Sequence, residues 1–142
     1  MIRRFENNDL HNVMQIWYET NVKAHSFISK EYWLSQYGIV KLLLPQAEVY
    51  VYEDDITKQI NGFIGLSDHL IEGLFVKETA QSHGIGKQLL DYAKSIRQSL
   101  SLAVYQKNVR AILFYKREQF EIESERIDEN TNENEFIMTW RK

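Results

Sequence analysis

The segment from Gln81 to Lys87 constrains the fold more than any other part of the chain, because it joins two stretches of different periodicity. Before it, the apolar run from Leu70 to Val76 has the length of a β-strand. After it, apolar residues recur at three- and four-residue steps from Ile85 to Leu100, which predicts an amphipathic helix. A strand, a tight glycine-containing turn and a helix are therefore predicted in succession.

The start of that helix is typical of an anion site. A helix N-terminus has unpaired backbone N–H groups and a partial positive charge. Gly84 and Gly86 have no Cβ to keep an anion at a distance, and Lys87 adds a formal charge. These features predict a cradle for a pyrophosphate. A helix entry that uses glycine only for packing explains the loop alone equally well.

Two other nucleotide-binding motifs fit this loop badly. The run Gly84-Ile85-Gly86 lacks the third glycine of the dinucleotide fingerprint. The phosphate-loop pattern requires glycine where Gln81 stands, and serine or threonine where Gln88 stands. The loop therefore favours an anion-binding class outside these two.

The rest of the chain predicts a mixed α/β (α+β) domain that spans residues 1–142 as a single unit. In the first part of the chain the apolar residues have helical spacing. Three strand-like apolar runs follow, and they predict an antiparallel meander. In chain order the predicted elements are a strand at 1–5, helices at 8–24 and 29–44, strands at 49–52, 60–66 and 70–76, a helix at 85–100, a strand at 102–105, a helix at 108–117, and strands at 120–126 and 135–140.

Composition excludes several classes of protein. The chain has 142 residues, no cysteine and a net charge of -3, so disulfides and cysteine-linked intermediates are excluded. The charge gives no general attraction to nucleic acid or to an anionic membrane, and neither is an expected partner. No apolar run is long enough for a membrane helix, and the N-terminus lacks the pattern of a signal peptide. The cytoplasm is the expected compartment.

A second informative segment begins the helix that follows the strand at 102–105. It contains Asn108, Ala111, Phe114 and Tyr115 in that order. Asparagine caps helices and phenylalanine fills cores, so a purely structural role explains both of those residues. Tyr115 is one helical step from Phe114, about 100° around the axis, and is a candidate proton donor.

Together the two segments resemble the GNAT superfamily of acyl-CoA N-acyltransferases. The superfamily's central signature, Arg or Gln followed by two residues, Gly, one residue and Gly or Ala, stands here as Gln81 to Gly86. Its second signature stands as Asn108, Ala111, Phe114 and Tyr115. The order of elements agrees over the full length. One departure is Gln119, where members often have glycine after the Phe-Tyr pair.

The resemblance implies a mostly antiparallel sheet of about seven strands with a V-shaped splay, together with four helices. It implies that acetyl-CoA is the co-substrate and that Tyr115 protonates the leaving thiolate. The residues that it assigns to the cofactor are Leu74, Phe75, Val76, Gln81, Ser82, His83, Gly84, Ile85, Gly86, Lys87, Asn108, Ala111, Phe114 and Tyr115.

An amine must lose a proton before it attacks a thioester, so a base is expected. Glu72, in the apolar run before the cradle, is the first candidate, because partial desolvation would raise its pKa; a water-facing strand position is the alternative. His25 is the second candidate and is also assigned to the acceptor pocket with Phe27, Tyr32 and Trp33. Core packing of these aromatic residues is the alternative. No metal-ligand spacing is present, so no metal is expected.

The expected function is therefore transfer of an acetyl group to an amine, either a small cationic amine or a protein lysine, by direct attack in a ternary complex. A non-catalytic acyl-CoA-binding module and a nucleotide-binding domain are the alternatives. Seven acidic residues lie between Glu121 and Glu135, with Arg126 as the one basic residue among them. This run predicts either a rim that attracts a cationic acceptor or a solvated hairpin. A monomer and a homodimer are both consistent with the sequence.

Overall fold

One seven-stranded sheet organises the chain in the computed structural model, which describes residues 1–142. The strands are β1 (Ile2–Arg4), β2 (Glu48–Glu53), β3 (Ile60–Ser67), β4 (Leu70–Val76), β5 (Ser99–Tyr105), β6 (Glu121–Asp128) and β7 (Glu133–Arg141). The helices are α1 (Leu10–Ala24), α2 (Lys30–Leu43), α3 (Ile85–Ile96) and α4 (Val109–Arg117). The strand order is β1-β2-β3-β4-β5-β7-β6, so the predicted mixed α/β class and element order are confirmed.

All neighbouring strands are antiparallel except β4 and β5. These two parallel strands pair at one position, Leu70 with Ser101, where Ser101 N donates to His69 O at 2.9 Å. Beyond that pair the strands separate toward their carboxyl ends, which produces the predicted V-shaped splay. Because parallel strands end at the same edge, the cradle after β4 and the helix after β5 both begin beside the gap.

The sheet has a hydrophobic core on each face. Residues alternate between the faces along a strand, so Phe63 packs with α1 and α2, while Ile64 packs with α3 and α4. Leu89 and Leu90 of α3 are completely buried, and burial of each such side chain contributes about 1.5–3 kcal/mol. The two helical layers therefore fix the positions of the segments that border the gap.

Gly62 allows α3 to approach the sheet closely. A Cβ atom at this position would lie 2.9 Å from Phe75 O and 3.2 Å from Ile85 Cγ2. These contacts are too short for a side chain, so glycine is required where the first turn of α3 crosses β3 and β4. The N-terminus of α3 is consequently held against the end of β4.

The predicted boundaries need two corrections. Leu100 is not part of α3, which ends at Ile96; it lies in β5 and is 1% exposed. Leu100 fits the apolar spacing of α3 because the side chains of β5 that face α3 pack in the same hydrophobic core. The helix predicted at 29–44 is α2, which begins at Lys30, and the side chain of Ser29 before it forms no capping hydrogen bond. None of the four helices combines the length and apolarity needed to cross a bilayer.

Candidate active site

The gap between β4 and β5 opens into a cleft of about 810 Å³, a size typical of small-molecule sites. Most of the residues predicted from the sequence line it, namely His25, Leu74, Phe75, Val76, Gln81, Ser82, Gly84, Ile85, Gly86, Lys87, Asn108, Ala111, Phe114 and Tyr115. Five predicted residues do not line the cleft: Phe27, Tyr32, Trp33, Glu72 and His83. His83 is exposed.

The loop before α3 presents a continuous row of free backbone donors. The N–H groups of residues 82–87 have no hydrogen-bond partner, and the first bond of the helix runs from Gln88 N to Gly84 O at 3.0 Å. Ser82 and Gly84 have positive φ values of 67° and 80°, which turn the chain so that it enters the helix. Successive free N–H groups at a helix N-terminus bind phosphate groups, so the loop has the chemistry of the predicted cradle.

The side chain of Lys87 does not supply a free charge to this cradle, contrary to the prediction. Its Nζ lies 3.1 Å from Glu118 Oε1 and 3.2 Å from Asp91 Oδ2. The hydrogen bonds to Glu118 and then Asp91 raise the pKa of Lys87. Two carboxylates therefore neutralise this lysine, and the partial charge of the helix N-terminus remains as the attraction for an anion.

Gln81 connects the end of β4 to the start of α4. Its Nε2 donates to Val76 O at 3.0 Å, and its Oε1 accepts from Arg110 Nη1 at 3.0 Å. Arg110 lines the cleft and is a functional candidate that the sequence analysis missed. Its position one helical turn from Phe114 was the available signal, since residues four apart lie on one face of a helix.

The edge of β4 is open toward the gap. Lys77 N donates to Asn61 O at 2.8 Å, so the pair before it, Val76 and Gly62, is a non-hydrogen-bonded pair of the antiparallel ladder. By the same alternation the N–H and C=O groups of Leu74 also point away from β3. The N–H and C=O groups of Leu74 and the N–H of Val76 therefore face the cleft, where an extended ligand with amide groups can pair with them as a strand does. The Val76 carbonyl oxygen already accepts a hydrogen bond from Gln81 Nε2.

Glu72 is placed differently from its predicted environment. It is the extra residue of a β-bulge, because Gly65 pairs with Gly73 and Leu66 pairs with Ile71. Its side chain is exposed, so the expected desolvation is wrong. A carboxylate at this point is in contact with water. It can therefore accept a proton from a substrate through a water molecule, but not as a desolvated base.

His25 and Asn108 meet across the cleft. Asn108 Oδ1 accepts from Ala111 N at 3.3 Å, which caps α4, and its Nδ2 lies 3.3 Å from His25 Nε2. Since the amide NH₂ is a donor, His25 Nε2 accepts and the ring proton resides on Nδ1. Burial lowers the pKa of His25 to about 4. The ring is therefore neutral at pH 7, with its accepting nitrogen already engaged.

Tyr115 lies at the deep end of the cleft, between Phe114 and Phe120, with ring centroids 5.2 Å and 5.4 Å away. It is 8% exposed, and burial raises its pKa well above the usual value for tyrosine. The phenol therefore keeps its proton at neutral pH. It can donate a hydrogen bond to a negative charge that develops in the cleft.

The aromatic residues assigned to the acceptor pocket have different environments. Trp33 is 7% exposed in the core and stacks on His25 with centroids 5.4 Å apart. Phe27 and Tyr32 are half-buried beside Tyr105, whose hydroxyl donates to Asp128 Oδ2 at 2.6 Å. Burial, followed by the carboxylates of Asp128 and Glu135, raises the pKa of Tyr32. This side of the molecule therefore places aromatic rings next to carboxylates.

The acidic residues of the C-terminal hairpin, formed by β6 and β7, are more fully paired than the sequence indicated. Arg126 Nε lies 3.0 Å from Glu135 Oε1, as its position in the run suggests. Lys107, which precedes α4, adds a second ion pair, with its Nζ 3.1 Å from Glu133 Oε1. The acidic run is therefore opposed by Lys107, from outside the run, as well as by Arg126 within it.

Comparison with known proteins agrees with this architecture. The family model described as an acetyltransferase (GNAT) domain matches residues 45–122, which is more than half of the chain. Peptidyl-lysine N-acetyltransferase YiaC from Escherichia coli is 32% identical over 142 residues, 99% of this chain and 96% of YiaC. Peptidyl-lysine N-acetyltransferase YjaB from Escherichia coli is 28% identical over 121 residues, 85% of this chain and 82% of YjaB.

Solved structures show the same fold. The apo-form of YjaB from Escherichia coli superposes with a TM-score of 0.88 at 26% identity, covering 98% of this chain and 95% of that one. The structure of yncA from Salmonella typhimurium with its cofactor acetyl-CoA gives a TM-score of 0.67 at 16% identity, covering 99% and 92%. The second likeness shows the fold alone. The chain belongs to the GNAT family of acetyltransferases and is an N-acetyltransferase.

Proposed function

We propose that the protein transfers the acetyl group of acetyl-CoA to the side-chain amine of a peptidyl lysine. The observation that carries the proposal is the cleft itself, in which six consecutive free N–H groups and the open edge of β4 border one gap. The family membership and the activity named for YiaC and YjaB support the same conclusion.

The residues present fit the pyrophosphate and pantetheine parts of acetyl-CoA. The N–H groups of residues 82–87 would hold its pyrophosphate, and the backbone of Leu74 and Val76 would pair with its pantetheine amides. Arg110, on the wall of the cleft beside Gln81, forms no ion pair and would face the phosphates. When bound, acetyl-CoA supplies an activated thioester.

The chemical step has two proton transfers that this chain must provide. The lysine nitrogen forms a bond to the carbonyl carbon as the carbon–sulfur bond breaks, and the electron pair leaves on sulfur. We assign Tyr115 to donate a hydrogen bond and proton to that sulfur. We assign Glu72 to accept the amine proton through a water molecule, consistent with its exposed position at the bulge. Transfer is direct, since the chain has no cysteine to carry the acetyl group.

The test is a thiol-release assay with lysine peptides, together with a melting-temperature shift produced by acetyl-CoA. We expect both turnover and a shift. Glu72→Gln should lower kcat by about 100-fold or more with the shift retained, while the exposed control Glu121→Gln keeps wild-type kcat. A melting shift without thiol release on any peptide would identify a non-catalytic acyl-CoA-binding module instead.

A further inference from the structure

The ammonium of Lys107 lies over the ring of Phe27, one of the residues that the resemblance assigns to the acceptor pocket. Its surroundings are those of a binding site for a cation. Its Nζ is 5.4 Å from the centroid of the Phe27 ring and 3.1 Å from Glu133 Oε1. Lys107 itself lines the cleft next to Asn108, so this site adjoins the one described above. An aromatic face and a carboxylate together are the usual means of binding an ammonium or guanidinium group.

Phe27 is held in place by its aromatic neighbours and the Glu133 side chain is mostly buried, whereas the Lys107 side chain is exposed. Phe27 packs edge-on against His25 and Tyr105, with both centroid distances at 5.7 Å. The Glu133 side chain is 20% exposed, while that of Lys107 is 62% exposed. An exposed lysine held by one ion pair and one ring is displaced at little cost. Phe27 and Glu133, which we call the cation subsite, therefore remain available to another cation.

The chemistry of the subsite identifies which cation it accepts. A carboxylate stabilises the protonated form of an amine, but the amine that attacks a thioester must be neutral. The cation subsite is therefore unsuited to the reacting lysine and suited to a second positive charge nearby. We propose that it binds a basic side chain adjacent to the target lysine, and that Lys107 occupies it as an internal competitor. This inference rests on the proposed function.

The experiment compares two fluorescent, terminally blocked peptides that are identical except at the neighbours of the target lysine, Arg-Lys-Arg and Gln-Lys-Gln. Binding is measured by fluorescence anisotropy with saturating CoA, and kcat/KM by thiol release with acetyl-CoA. We expect the wild type to prefer the Arg-Lys-Arg peptide by about five- to tenfold in both measurements, the size expected from one cation–ring contact and one partly exposed ion pair.

Variants test which residues cause the preference for the Arg-Lys-Arg peptide. Glu133→Gln and Phe27→Leu should each reduce the ratio between the two peptides toward one. Lys107→Met should instead increase the ratio, because it removes the internal competitor from the subsite. Glu129→Gln is the matched control, since Glu129 is an exposed carboxylate on the same hairpin with no ion pair, and it should keep the wild-type ratio.

The outcomes distinguish a failure of the cation subsite from a failure of the proposed acetyltransferase function. An equal affinity of the wild type for both peptides, or a ratio that Glu129→Gln lowers as much as Glu133→Gln, overturns the cation subsite and leaves the acetyltransferase activity standing. A lower ratio in Lys107→Met overturns the competitor role. Absence of thiol release with both peptides counts against the proposed function, while the anisotropy ratio still decides the subsite.

Discussion

His25 and Asn108 are 83 residues apart in sequence, and their side chains meet at 3.3 Å from Nε2 to Nδ2. His25 follows α1 on one face of the sheet, and Asn108 caps α4 on the other. Both residues line the cleft between β4 and β5. The contact links the end of α1 to the start of α4, the helix that carries Tyr115.

The first prediction concerns acid stability. Burial lowers the pKa of His25 to about 4 from its ordinary value of 6.5, so between these pH values the unfolded chain binds a proton that the folded chain does not. The free energy of unfolding should fall as the pH is lowered through this window, by at most about 3 kcal/mol. Urea denaturation of the ligand-free protein between pH 7 and 4 measures the effect.

His25→Phe keeps a ring in this position and should flatten that pH dependence, although it also lowers stability at pH 7 by removing the contact with Asn108. His11 is exposed on α1 and provides the control. If His11→Gln and His25→Phe show the same slope of unfolding free energy against pH as the wild type, the buried imidazole is not the titrating group.

The second prediction concerns Tyr115→Phe. Because the ring is packed between Phe114 and Phe120, phenylalanine fits the same space and the fold should be preserved. Loss of the proton donor should reduce kcat by about 100- to 10,000-fold, with the affinity for acetyl-CoA unchanged. Steady-state kinetics and isothermal titration measure the two quantities. A wild-type kcat would remove the hydroxyl from the mechanism.

The third prediction concerns the cradle. Acetyl-CoA at 100 times its Kd should add about 2.7 kcal/mol to the free energy of unfolding. Gly84→Val should lose most of that gain, since a β-branched residue is strained at φ 80° and turns the free N–H groups away from one another. Gly38→Ala is the control, because Gly38 lies in open space on α2, away from the cleft. An equal ligand-induced shift in both variants would disprove the cradle.

The fourth prediction compares two basic residues beside the cradle. Arg110→Met should weaken acetyl-CoA binding by about tenfold and reduce its dependence on salt, because it removes a cation that lines the cleft and that we propose contacts the phosphates. Lys87→Met should have the smaller effect, since Glu118 and Asp91 already neutralise that lysine. Isothermal titration at low and high ionic strength measures both. A larger loss in Lys87→Met would show that the ion pairs exchange for phosphate on binding.

The element types and most of the residues that line the cleft were predictable from the sequence because their signals are local. A glycine with positive φ, an asparagine cap and a change of period from two to 3.6 each act within a few residues. The same local signals misplaced Leu100, since a strand that enters the same core continued the helical spacing of α3. The local spacing of apolar residues does not show where a helix ends when the strand that follows packs in the same core.

The sequence by itself determined the order of strands and helices, the glycine loop before α3 that we propose as an anion site, and the position of Tyr115 on α4. The tertiary structure decided which charges remain free. Lys87 is neutralised by Glu118, 31 residues away, Lys107 is held by Glu133, and Glu72 is exposed by a bulge. The physical reason is that charge pairing and solvation depend on distances in space, and the sheet brings together residues that no local pattern relates.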